Sequence, residues 1–112
     1  GIAHYLSRHR WRPGELIAVP ANIQGESYRQ FLSDKLKKPS HSIAQLRKSN
    51  VLPNLTVADN QRAMLLEFDG YGGLEYWLGF NNFYAITRYN HSPLYAMAVY
   101  HLSWEIRSRY GA

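Results

Sequence analysis

The chain has 112 residues, no cysteine and a formal net charge of +5 with its histidines neutral. That length fits one domain with a modest core, and a hydrophobic share of 46% excludes wholesale disorder. Disulfide frameworks and cysteine-ligated zinc are excluded, and no apolar run approaches the roughly 20 residues that a membrane-spanning helix needs.

Residues 2–11 read as the first helix, with Ile2, Ala3, Tyr5 and Leu6 on one side. No capping residue precedes it, so the chain is expected to begin inside this helix. The start at Gly1, without a signal peptide, reads as a trimmed or excised piece. Arg12-Pro13-Gly14 stops the helix. Residues 15–22 form a short strand, and Pro20, which lacks a backbone donor, predicts an edge position or a strand end. After a turn over 24–27, Tyr28, Phe31, Leu32 and Leu36 recur at helical spacing and predict a helix over 27–36, ended by Lys37-Lys38-Pro39. Ser42-Ile-Ala-Gln45 has capping-box form and opens a helix over 43–49 that stops at Asn50. Residues 51–60, broken by Pro53, are expected to be loop.

Residues 62–69 and 74–80 read as two strands, joined by the glycine-rich hairpin Gly70-Tyr71-Gly72-Gly73. Leu74, Tyr76, Leu78 and Phe80 point one way, and Glu75, Trp77 and Gly79 the other. Both faces are partly apolar, which predicts a central strand covered on two sides. Gly79 marks either a close approach by a neighbour or a bulge. Residues 81–88 form a short helix with Phe83, Ile86 and Thr87 on one side. Ser92 as N-cap and Pro93 at the first helical position open the last helix, 93–108. Its expected buried stripe is Tyr95, Val99, Leu102 and Ile106, and Arg107 and Arg109 complement its C-terminal dipole. The fold class is α+β: a small antiparallel sheet with flanking helices and a C-terminal helix.

Residues 75–95 carry seven of the chain's aromatic residues. A polar cluster, Thr87, Arg88, Tyr89, Asn90 and His91, sits just before the last helix start. Aromatic faces beside amide, guanidinium and hydroxyl groups suit a sugar, whose C–H face stacks while its hydroxyls find partners. A buried aromatic core with a polar loop fits the same composition. The long, irregular run Trp77-Leu-Gly-Phe-Asn-Asn-Phe-Tyr-Ala-Ile-Thr-Arg-Tyr-Asn-His-Ser-Pro-Leu-Tyr-Ala-Met-Ala-Val-Tyr100 resembles the C-terminal signature of the membrane-bound lytic murein transglycosylase B family. Weaker similarity runs through Ile2-Ala-His-Tyr-Leu-Ser-Arg-His-Arg-Trp11, Ile17-Ala-Val-Pro-Ala-Asn22 and Ser42-Ile-Ala-Gln-Leu46. The resemblance covers nearly the whole chain but only about the last third of such a protein.

The resemblance implies cleavage of peptidoglycan glycan strands to 1,6-anhydro ends by one carboxyl group with a raised pKa, acting first as acid and then as base. That glutamate is expected upstream, with no counterpart here, so the chain alone is expected to be inactive. Tyr89, Asn90 and Tyr95 match positions lining the family's cleft, and Tyr5 matches a further cleft tyrosine. The family's cation-binding loop would lie upstream, so no metal site and no cofactor are expected. The division implied is a sheet-containing subdomain over 1–80 and a helical segment over 81–112 packing on the parent's catalytic core. Expected partners are glycan strands and that upstream domain, with no nucleic acid. Membrane contact is expected only through an upstream anchor, in the bacterial periplasm or at the outer membrane.

The chain's own carboxylates offer little for catalysis. Glu67 and Glu75 lie on adjacent strands and face each other across the hairpin if opposed, the paired-carboxylate pattern of glycosidases; a solvated strand face explains them better. Glu105 and Arg109 form an i,i+4 surface pair, and Glu15 and Glu26 flank turns. The histidines at 4, 9, 41, 91 and 101 are dispersed and suggest no triad or metal cluster. The basic residues fall into scattered clusters: Arg8, Arg10 and Arg12; Lys35, Lys37 and Lys38; Arg47 and Lys48. Each reads as solvated surface. Two rivals remain, a stand-alone carbohydrate-binding module and a basic nucleic-acid-binding domain. The second predicts binding that weakens steeply with salt, and it fits poorly with aromatics clustered beside asparagine rather than lysine.

Overall fold

The computed structural model describes residues 2–8, 11, 12, 15–32, 36–70 and 72–110, with the side chains of Ile2, Ala3, Ser7 and residues 103–110 outside the description. The elements in chain order are α1 (Ile2–Arg8), β1 (Ala18–Ile23), a 3-10 helix (Ser27–Phe31), β2 (His41–Ser42), α2 (Ile43–Lys48), β3 (Val51–Pro53), β4 (Arg62–Gly70), β5 (Gly73–Gly79), α3 (Asn81–Tyr89) and α4 (Pro93–Tyr110). The expected stop at Pro13-Gly14, the Tyr71 of the hairpin, the Glu105–Arg109 pair and the roles of Ile106 and Arg107 lie outside the described residues or side chains.

The five strands run β2-β4-β5-β1-β3, every pair antiparallel. Cross-strand partners share a face, so register sorts the side chains into two cores. Leu65 pairs with Leu78, and Leu78 with Val19; they face Tyr28, Phe31, Ile43, Leu46 and Val51. Leu66 pairs with Trp77, and Met64 and Ala18 both pair with Gly79; this face meets Leu6, Phe83, Ile86 and Met97 from α1, α3 and α4. The sheet is therefore the middle of three layers, the α+β architecture expected. Each fully buried aliphatic side chain contributes roughly 1.5–3 kcal/mol.

Gly79 is the close-approach glycine. A Cβ there would sit 3.1 Å from the Phe83 ring and 3.0 Å from Leu66, so its bare backbone lets α3 settle against the sheet. In the hairpin, Gly73 adopts φ +127°, where a side chain would be strained. The cap of α2 is as expected: Ser42 Oγ accepts from the Gln45 amide at 3.2 Å, and Asn50 ends the helix at φ 61°.

Five expectations are corrected. Helix α1 ends at Arg8 within the described residues, and Trp11 lies outside it. Among the described residues of 27–36 the helical spacing yields a short 3-10 helix, and Leu32 is already extended at ψ 142°. The stretch 51–60 is not all loop, because Val51–Pro53 pairs with Ala21–Ile23. Pro20 is not on an edge: β1 lies between β5 and β3. The strand hands over there, pairing β5 through Ala18–Pro20 and β3 from Ala21 on. The Pro20 carbonyl accepts from Asn54 just beyond the last β3 pair, so its missing donor falls past the end of that ladder. Leu102 is 57% exposed, and among the described side chains of α4 the buried ones are Ala96 and Met97.

Candidate functional site

Three of the four residues singled out for sugar binding converge. Tyr5 comes from α1, Tyr89 is the last residue of α3, and Tyr95 lies in the first turn of α4. The Tyr5 and Tyr89 rings meet edge to face at 5.2 Å, and Tyr89 and Tyr95 lie stacked at 6.1 Å with 30° between their planes. Such ring pairs contribute about 0.5–1.5 kcal/mol each. Tyr89 is 44% exposed, while Tyr5 and Tyr95 are half-buried against the helical core.

The short connection between α3 and α4 sets this geometry. Asn90 leaves the helix with extended backbone while its amide still donates to the Ile86 carbonyl at 3.1 Å. The Asn90 Oδ1 accepts from the Ser92 amide at 3.1 Å, and Ser92 Oγ accepts from the Tyr95 amide at 3.3 Å. Ser92 is thus the cap that the sequence predicts, and Pro93 follows at the first helical position. Asn90 is exposed, and its NH2 group can still donate while its oxygen holds the turn.

Tyr5 also lines a concavity of about 480 Å³ with Arg8, Lys38, Asn81, Tyr84 and Arg88. The Arg88 guanidinium lies 5.9 Å from the centre of the Tyr84 ring. Arg8 and Lys38 read as solvated surface in the sequence, whereas Arg88 belongs to the polar cluster before the last helix. The three come from α1, the 36–40 segment and α3, so no spacing rule connects them.

The carboxylates do not pair. Glu67 stands opposite Tyr76 and Phe68 opposite Glu75, which puts the two glutamates on opposite faces of the sheet. Glu67 instead accepts from the Tyr76 hydroxyl at 2.9 Å, and the Tyr76 hydroxyl lies 3.3 Å from that of Tyr28. The hydrogen bond with Tyr28, burial, and then the Glu67 carboxylate hold the Tyr76 phenol well above its ordinary value. Among the described residues no three acidic or histidine side chains gather as a metal cluster. His41 packs on Phe31, and His101 on Trp77 and Tyr100. No helix among the described residues is long and apolar enough to cross a membrane.

Comparison with known proteins agrees with this architecture. The family model described as "Transglycosylase SLT domain" matches residues 1–104. Membrane-bound lytic murein transglycosylase B of Escherichia coli (strain K12) is 41% identical over 101 residues, 90% of this chain and 27% of that protein. The crystal structure of soluble lytic transglycosylase SltB1 from Pseudomonas aeruginosa superposes with a TM-score of 0.84 at 40% identity, covering 99% of this chain and 36% of that one. SltB3 from Pseudomonas aeruginosa, in complex with NAG-NAM-pentapeptide, matches 87% of this chain and 26% of its own at 27% identity and a TM-score of 0.68. The chain thus spans about a third or less of the length of these relatives. With the model matched over nearly all its residues and the fold shared, the chain belongs to the transglycosylase SLT domain family.

Proposed function

We propose that this chain is the C-terminal part of a bacterial lytic murein transglycosylase, in which Tyr5, Tyr89, Asn90 and Tyr95 form one wall of the peptidoglycan groove. The observation that carries this reading is the convergence of three tyrosines from three helices, at ring distances of 5.2 and 6.1 Å, beside an exposed asparagine. Their faces and hydroxyls are suited to stack on and hydrogen-bond a sugar. The acid/base group is a glutamate upstream of this segment, and the wall positions the glycan and that carboxyl rather than transferring a proton itself.

In the longer protein, residues 1–80 form the sheet subdomain, and residues 81–112 pack on the catalytic core. Leu94 and Leu102, 71% and 57% exposed along one side of α4, are the surface that this core covers. The protein acts in the bacterial envelope, in the periplasm or anchored at the outer membrane by a segment upstream. These assignments lean on relatives named as lytic transglycosylases, one of them membrane-bound.

The test uses the longer protein on purified peptidoglycan, with mass spectrometry counting anhydro-ended fragments. Tyr89→Ala is expected to lower their rate of release about tenfold or more, the scale of a lost positioning contact. An unchanged rate would remove Tyr89 from the groove.

A further inference from the structure

The concavity at Tyr5 continues into a second one of about 360 Å³, with which it shares Lys38 and Asn81. Arg8 and Arg88 line the first, Arg12 and Arg62 the second, and Lys38 both. Amide side chains of Asn60 and Gln61 complete the far end. Among the described residues no aspartate or glutamate lines either concavity.

Among the described residues the ion pairs are Arg12–Glu15 at 3.8 Å, Arg29–Glu26 and Arg47–Asp59. Arg8, Lys38, Arg62 and Arg88 therefore face the trough without a carboxylate partner among those residues. Arg62 donates to the Ser40 carbonyl, and Arg88 lies over Tyr84; both contacts fix the cation without neutralising it. Gathering like charges in a concave surface is unfavourable by itself and focuses a positive potential there. An acidic ligand removes that cost. Guanidinium groups and amides are also the donors that recognise carboxylates directionally.

Tyr5 sits at the junction. Its ring touches Tyr89 of the tyrosine cluster and also lines the trough. We propose that the trough running from Tyr5 past Arg8, Arg88 and Lys38 to Arg62 binds the carboxylates of a peptide attached to the glycan held by the tyrosines. This rests on the glycan reading. The tyrosine wall takes the sugar, and the cations read whether it carries a peptide. Among the described residues the only aromatics along the cations are Tyr5 and Tyr84, which favours a carboxylated peptide over a single-stranded nucleic acid, whose successive bases stack on aromatic platforms.

The test is calorimetric titration of the chain with two probes, the NAG-NAM disaccharide carrying a pentapeptide and the same disaccharide without it. The peptide-bearing probe is expected to bind about tenfold more tightly, an advantage that shrinks between ~50 and ~200 mM salt. The Arg8→Gln/Arg62→Gln double variant and Lys38→Gln are expected to abolish that advantage while leaving the peptide-free disaccharide unchanged. Equal affinity for the two probes, or equal losses for both in the variants, would overturn the carboxylate site and leave the tyrosine wall standing. Binding of neither probe would overturn the glycan reading and this inference with it. A single-stranded oligonucleotide that binds more tightly than the peptide-bearing probe, and loses affinity in the same variants, would assign the trough to phosphate instead.

Discussion

Tyr76 shows how much one residue's surroundings decide. Its phenol is held in the protonated form by Tyr28, burial and Glu67, so the folded chain keeps a proton that the unfolded chain releases near the ordinary tyrosine value of 10.0. The unfolded state then binds fewer protons, and stability falls as pH rises above about 10. Below that value the contribution is fully present. Urea unfolding of the protein and of Tyr76→Phe across that range is expected to show a shallower decline in the variant; parallel curves would mean that Tyr76 titrates alike in both states. None of this was legible in the sequence, which placed Tyr76 on a strand face without naming its partners. The same holds for the trough cations, whose meaning depends on three segments meeting. Tyr89, Asn90 and Tyr95 were singled out because the irregular run from Trp77 to Tyr100 resembles a known family, and Tyr5 through the weaker similarity over Ile2 to Trp11. Their residue types alone fitted a buried core equally well.

At the scale of elements, the joints matter more than the rods. Asn82 is 1% exposed and ties the start of α3 to Arg12 and Glu15, between α1 and β1. Its Oδ1 accepts from the Arg12 amide at 2.8 Å, and its Nδ2 donates to the carbonyls of Arg12 and Glu15 at 2.9 and 3.2 Å. Asn82→Ala leaves those partly buried groups unmatched, at an expected cost of about 2–3 kcal/mol in denaturant unfolding. Amide exchange at Arg12 should accelerate in the variant. A change smaller than ~0.5 kcal/mol would mean that water replaces the side chain without loss. Caps at Ser42 and Ser92, the hairpin and the central strand β5 were legible, because local chemistry or strict alternation fixes each. The helix expected over 27–36 was not: Tyr28 and Phe31 are buried against Val19 and Leu78, a demand that one 3-10 turn meets. Strand β3 was missed because Pro53 reads as a breaker, yet it sits at the strand's end, beyond which only Asn54 bonds back to Pro20.

At the scale of the whole molecule, the sheet separates two cores with different work. One, under the 3-10 helix and α2, secures the fold. The other seats α1, α3 and α4 so that their ends bring Tyr5, Tyr89 and Tyr95 together. Two-sided apolar strands announced this layering in the sequence; which helix ends would meet depended on long-range packing that no local pattern encodes. The central claim is that this wall is preformed within the chain. The measurement that addresses it most directly is an NMR titration of the chain with soluble peptidoglycan fragments, following the resonances of Tyr5, Tyr89, Asn90 and Tyr95. The account predicts saturable shifts at all four, largest at exposed Tyr89, with the second core around Leu65 and Leu78 unmoved. A folded sample in which those four stay silent would contradict it and leave the tyrosines as packing residues.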